Sequence, residues 1–277
     1  MKFYTAMNRL TSLRILCLFI LATSPLCAKP DWAEQLTPST FGSHPAIESS
    51  KLEYSLSWKG VVKAGYFDLQ FAPKKVSKSG FLVVTSKSYS LGVAKKLFPY
   101  EHNYWSELKL DTLEPYFFQS TESDSKEKVV TTNRYSPAQV DIDEVTTNIS
   151  TSKEKTFVKT FSEPNVRDLI SAILFIRSQK LDVGDTHVML ILPFRSPYLL
   201  NIHVEAKEKH EGKDAILLSI AMQKIKFDTH ELLPYKKIKK PVKLWLSDDI
   251  DRIPLEIRAS AYIGDVRAVL VKHTKTP

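Results

Sequence analysis

From Lys51 onward, large apolar residues fall on every second position more often than they recur at helical spacing. Leu52, Tyr54, Leu56 and Trp58 alternate with Glu53, Ser55 and Ser57. That pattern lays one face of a strand on a core and turns the other to water. The same alternation predicts strands over residues 66–71, 81–89, 102–108, 116–121, 128–135 and 155–161, then over 187–192, 199–205, 215–221, 242–246, 255–261 and 262–270. Short polar connections imply antiparallel pairing, because parallel neighbours need long crossovers. Residues 121–128 read as one such polar hairpin loop.

One segment departs from the alternation. Asn165 stands as a helix cap with Asp168 three residues on, and Val166, Leu169, Ile170, Ile173 and Leu174 follow at helical spacing. Ala172, Phe175 and Ile176 widen the apolar surface beyond one stripe, so a helix over 165–177 is expected to be covered on most sides and to plug or close the sheet. Residues 91–98 predict a second helix of about two turns before Pro99. Sheets of this many strands curl or close. The expected fold is therefore mainly β: a strongly curved antiparallel sheet or barrel-like single domain over residues 51–272 with one buried central α-helix. Residues 29–50, with Pro38, Gly42 and Pro45, read as an extended N-terminal leader.

Residues 1–28 stand outside this pattern. Lys2, Arg9 and Arg14, with no acid among them, precede an apolar run over 15–22. A charged start followed by a short apolar run is the build of a secretory signal, and the run is too short to span a bilayer. Cleavage is expected after Ala28; an uncleaved anchor and lipidation at Cys27 are the alternatives. Cleavage leaves 249 of the 277 residues, removes both cysteines, Cys17 and Cys27, and lowers the formal charge from +8 to +5. An exported chain of this kind holds itself by packing, without disulfides or thiolate ligands. Export, to the periplasm if the host is Gram-negative, is the expected localisation, and it argues against nucleic acid as a partner. A hydrophobic content of 43% with only eight glycines excludes wholesale disorder and collagen-like architecture.

Three stretches together resemble one family. LEYSLSWKGVVKAGYFDL (52–69), DLISAILFIRSQKLDVGD (168–185) and WLSDDIDRIPLEIRASAYIGDVRAVL (245–270) are similar in order and separation to the start, central helix and closing hairpin of DUF3108 proteins. The resemblance implies an exported, β-rich bacterial protein of the cell envelope, with no established activity and no catalytic residues to carry over. It leaves the lysine-rich segment 236–243 unexplained.

Candidate chemistry is sparse. Asp248, Asp249 and Asp251 put three carboxylates within four residues, a set that would suit a hard cation such as Ca²⁺. The glycine turn and distal glutamate of an EF-hand loop are absent, whereas turn formation by Ser247 and Asp248, an aspartate partner for Arg252 and burial of Trp245 account for every residue. His203 and Glu205 share a strand face, but a metal needs further ligands that only long-range folding could bring from His187, His210 or His230. Glu101 with His102 and His230 with Glu231 point to opposite faces if extended. The sequence carries no serine-nucleophile elbow, zincin helix or phosphate-binding glycine loop. No catalytic residue, metal ligand or cofactor is therefore assigned. Lys236, Lys237, Lys239 and Lys240 form the one dense basic patch, either a candidate contact for an anionic surface or a solvated loop that discourages edge pairing.

The function expected from this architecture is binding or carriage of an apolar or amphiphilic, lipid-like envelope molecule without catalysis. The alternatives are a structural or assembly factor that docks other envelope proteins, and a hydrolase lacking a recognised motif. An unfilled apolar cavity would favour carriage, and an interior filled by the 165–177 helix would favour assembly.

Overall fold

The computed structural model describes residues 30–43, 48–71, 80–235, 238, 240–261 and 264–275. Its strands in chain order are β1 Ser50–Trp58, β2 Val62–Phe71, β3 Phe81–Ser90, β4 Tyr100–Lys109, β5 Pro115–Asp124, β6 Glu127–Tyr135, β7 Val140–Asn148 and β8 Glu154–Phe161. They continue as β9 Thr186–Ile191, β10 Tyr198–His210, β11 Lys213–Ile225, β12 Leu232–Pro234, β13 Val242–Ser247, β14 Pro254–Ala261 and β15 Gly264–Lys275. A short 3-10 helix, Asp31–Gln35, precedes them, α1 (Gly92–Leu97) joins β3 to β4, and α2 (Leu169–Ser178) joins β8 to β9. One sheet holds every strand in the order β8-β7-β6-β5-β4-β3-β2-β1-β15-β14-β13-β11-β10-β9, with β12 alongside β11. Its neighbours are all antiparallel, and the sheet is curved without closing.

The expected strands are all present, and β7 and β12 are additional. Residues 121–128 are not a loop: β5 runs to Asp124, whose Oδ1 accepts from the backbone N–H groups of Lys126 and Glu127 at 2.7 and 2.8 Å. That single carboxylate tightens the turn to two residues. The β10–β11 hairpin turns on Glu211 and Gly212, both at positive φ, the geometry that matches strand twist and admits glycine freely.

α2 begins later than Asn165 would place it. Asn165 sits at φ +58°, and Arg167 makes a parallel bridge to Ile191 before the helix starts. The cap is Asp168, wholly buried, whose carboxylate accepts the Ser171 N–H at 2.6 Å and the Ser106 hydroxyl. At the other end, Arg252 donates to the carbonyls of Arg177 and Gln179, while Arg177 donates back to the Arg252 carbonyl at 2.7 Å. Arg252 thus serves the unpaired carbonyls at the helix terminus, while Arg177 ties the helix to the 251–252 turn.

The concave face is filled. Ala172, Phe175 and Ile176 pack with Ile202, Val204, Leu218 and Leu244, and on the other side of α2 Ile170 and Leu174 pack with Leu52, Tyr54, Leu69 and Leu108. A third cluster brings Phe118, Ile142 and Phe161 from β5–β8 against Val188, Leu190 and Leu199 from β9 and β10, with Trp32 beneath. The two ends of the sheet are therefore held together by packing. Residues 30–43 lie on this seam: Thr37 exchanges hydrogen bonds with Val188 at 2.9 and 2.8 Å, and a side chain at Gly42 would overlap the Ser178 carbonyl. No helix among the described residues is long and apolar enough to cross a membrane.

Antiparallel order puts the β1–β2, β3–β4, β5–β6, β7–β8, β9–β10 and β14–β15 connections at one end of the sheet. This end is called the upper rim below.

Candidate functional site

The inner face of β4–β7 changes character toward the upper rim. In register, the row Ser106, Phe118, Asn133, Ile142 gives way to Tyr104, Ser120, Thr131, Glu144 and then to His102, Glu122, Val129, Thr146. Core-forming side chains are replaced by polar ones, and the facing end of the sheet does not close over them. The result is a cleft of about 860 Å³ between β5–β7 and the β9–β10 connection, β10, β11 and β12.

Its far wall is Phe194, Tyr198, Leu233, Pro234 and Tyr235, with Val129 opposite. The β9–β10 connection is pinned there by Asn133, whose side-chain amide donates to the Phe194 carbonyl at 2.8 Å, and by Tyr135, whose hydroxyl donates to Leu192 O at 2.7 Å. Tyr198 and Tyr235 meet edge to face at 5.3 Å. The floor is ionic: buried Glu144 receives Arg195 at 2.9 Å and the Thr131 hydroxyl at 3.0 Å. Behind Phe194 lies His102, buried among Tyr100, Tyr104 and Phe194 rings, with Nε2 lacking a partner. Burial pushes the imidazole down to about 4, so it is neutral near pH 7. The site thus offers an apolar wall, one internally paired charge couple, and Glu122, Glu127 and Lys224 at its margins.

A second hollow, about 610 Å³, lies on the convex side between Tyr66, Lys87 and Glu101. Its charges are matched in place, Lys51 with Asp68 at 3.3 Å and Lys87 with Glu101 at 3.4 Å.

The residues singled out from sequence are dispersed. Asp249 Oδ1 accepts the Ser247 hydroxyl and the N–H groups of Asp251 and Arg252 at 2.8, 3.0 and 2.9 Å, while Asp248 and Asp251 lie by Lys207 and Lys275 at 4.0 and 3.6 Å. This is turn chemistry. The expected aspartate partner of Arg252 is replaced by the α2 carbonyls described above. His203 meets Thr186 at 3.3 Å, and Glu205, at a bulge in β10, binds Lys243. His187 meets Lys180 O, and His230 meets Glu163 at 2.8 Å, whereas Glu231 pairs with Lys226. Glu101 is exposed and His102 buried, on opposite faces. Of the lysine patch, Lys236, Lys237 and Lys239 lie outside the described residues; Lys240 is exposed.

One constellation has no counterpart in the sequence reading. His210 Nε2 and Glu256 lie 2.8 Å apart, Glu256 also receives Arg258, and His210 stacks on Trp245 at 4.4 Å with Arg258 over the same indole at 4.6 Å. Burial pushes the Glu256 carboxyl up, and the hydrogen bonds from Arg258 and His210 outweigh it and hold it low. Glu211 is close enough to complete three ligands with them. The Arg258 guanidinium already supplies the positive charge a cation would bring.

No curated protein matches the sequence. Among solved structures, a β-barrel-like protein of domain of unknown function DUF1849 from Brucella abortus superposes with a TM-score of 0.53 at 10% identity, covering 83% of this chain and 99% of its own. A "putative exported protein" with a YmcC-like fold from Bacteroides fragilis aligns with a TM-score of 0.33 at 5% identity, covering 85% and 100%. The first supports the barrel-like fold and nothing further. The family described as "Protein of unknown function (DUF3108)" matches residues 53–271, nearly all of the sheet and α2, and the chain belongs to that family.

Proposed function

We propose that this chain is an exported, non-enzymatic cell-envelope protein that binds an amphiphilic, lipid-like molecule in the upper-rim cleft. The observation that carries the reading is the polarity change along β4–β7, which leaves an unfilled volume with an apolar wall beside a paired ionic floor. A volume of this size is in the range of small-molecule sites. Its chemistry suits an acyl or aromatic tail with a polar head. α2 fills the interior beneath, so the ligand belongs to the open cleft and not to an enclosed cavity. Export rests on the pattern of residues 1–28, with periplasmic residence if the host is Gram-negative; residues 51–272 are read as one domain behind the 29–50 leader. The basic segment 236–240 follows Tyr235 at the cleft wall.

The test is mass spectrometry of lipids recovered with the mature protein from its native envelope, beside a Phe194→Asp/Leu233→Asp variant. An amphiphile enriched with the wild type and lost from the variant is expected. Equal recovery from both, or none from either, refutes the reading. The packed interior also favours a second reading, docking of another envelope protein. Among the described residues β8 has no strand beyond it, with Val158 exposed on it. A stoichiometric envelope protein recovered in place of lipid would establish that alternative.

A further inference from the structure

We propose that the upper rim docks on an anionic lipid bilayer through the β1–β2 tip and α1, a contact that does not depend on what the cleft holds. Trp58, Val61 and Val62 on the hairpin and Val93, Leu97 and Phe98 on or beside α1 are between 36% and 86% exposed. α1 lies against β2, its start held by the Leu91 N–H on Ala64 O at 2.9 Å. The two apolar tips therefore form one patch. Singly exposed apolar residues are ordinary, but a contiguous set marks a contact surface.

The charge around the patch identifies its occupant. Lys59, Lys63, Lys95 and Lys96 are exposed on the same tips, and none makes an ion pair among the described residues. Two acids lie nearby: Glu101, paired with Lys87 at 3.4 Å and within electrostatic reach of Lys95, and Asp265, which accepts the Ser260 hydroxyl at 2.5 Å; the four lysines outnumber them. An apolar centre within a net basic ring matches acyl chains beneath anionic headgroups. A second copy of the chain fits poorly, because a two-fold contact would bring the same four lysines together. Docking in this way would set the mouth of the cleft at the lipid surface.

The experiment is co-sedimentation of the mature chain with vesicles of phosphatidylcholine alone and of phosphatidylcholine with an equal part of phosphatidylglycerol, at low and high salt. The wild type is expected to bind the anionic vesicles at least about tenfold more tightly and to be released as salt screens the contact. Val61→Ser/Leu97→Ser/Phe98→Ser and Lys59→Gln/Lys63→Gln/Lys95→Gln/Lys96→Gln variants should each lose about tenfold or more while melting at the wild-type temperature. A Lys236→Gln/Lys237→Gln/Lys239→Gln/Lys240→Gln variant should lose less. No binding, equal binding to neutral vesicles, unaffected tip variants, or loss confined to the 236–240 variant overturns the proposal. So does a lipid-free dimer that the three serine substitutions dissolve.

Discussion

Asp168 shows how one side chain can hold a helix and a strand at once. Its carboxylate caps α2 through the Ser171 N–H and accepts the Ser106 hydroxyl from β4. Replacement by alanine leaves both donors buried without a partner, and a cost of about 2–4 kcal/mol is expected in a urea unfolding titration. Asparagine keeps an acceptor oxygen, and burial already pushes the Asp168 carboxyl up and disfavours its charge, so that variant should stay within about 1 kcal/mol of wild type. His102 acts in the opposite sense. Burial lowers its folded value to about 4, below the ordinary value near 6.5. The unfolded chain therefore takes up a proton first, and the contribution held above that ordinary value is lost as the pH falls toward 4. Between pH 7 and 4.5 the wild type should lose about 2 kcal/mol more than His102→Phe in paired unfolding titrations. Neither residue announces this in sequence. Asp168 was expected only as the partner of an Asn165 cap, and His102 is an ordinary alternating position.

α2 was recognisable from its apolar spacing, but not its sides. Along the stripe Leu169 and Ile173 are only partly buried, while Ile170 and Leu174 are buried as fully as Phe175 and Ile176 outside it. Two layers of the curved sheet grip the helix, so burial does not follow a single stripe. Phe175→Ala should cost about 3–5 kcal/mol and Ile173→Ala distinctly less; equal losses in thermal melts would place the packing elsewhere. β7 escaped the alternation for the reason that makes it interesting. Its inward positions run Val140, Ile142, Glu144, Thr146, and the buried glutamate is satisfied by Arg195 from a connection 51 residues away. A periodicity test reads such a strand as polar. The cleft was hidden with it, since only the register of four strands aligns the polar positions into one surface.

At the scale of the whole molecule, antiparallel strands around one helix followed from local pattern, but strand order did not. Nothing local distinguishes a meander that ends on its last strand from one that returns to its first. Here β15 closes onto β1, matching Lys275 to Ser50 and Val266 to Trp58, in the middle of the sheet and not at an edge. Among the described residues the two halves, β2–β8 and β9–β14, join as one sheet through that central pair, and otherwise meet by side-chain contacts around α2 and along the seam of β5–β8 with β9 and β10. Deletion of residues 264–275 should therefore abolish cooperative unfolding, whereas removal of an edge strand would trim the sheet; calorimetry of the truncated chain checks this.

That central pairing also sets a timetable. A chain emerging from its amino end produces β1 early, yet the partner on one side of β1 is among the last residues to appear. Until then the Leu52 and Tyr54 face lacks its full cover, and contacts this distant in sequence form slowly. The sheet can be completed only once residues 264–275 are present. A chain carried unfolded through a narrow conduit would leave one side of β1 unpaired until those residues had passed.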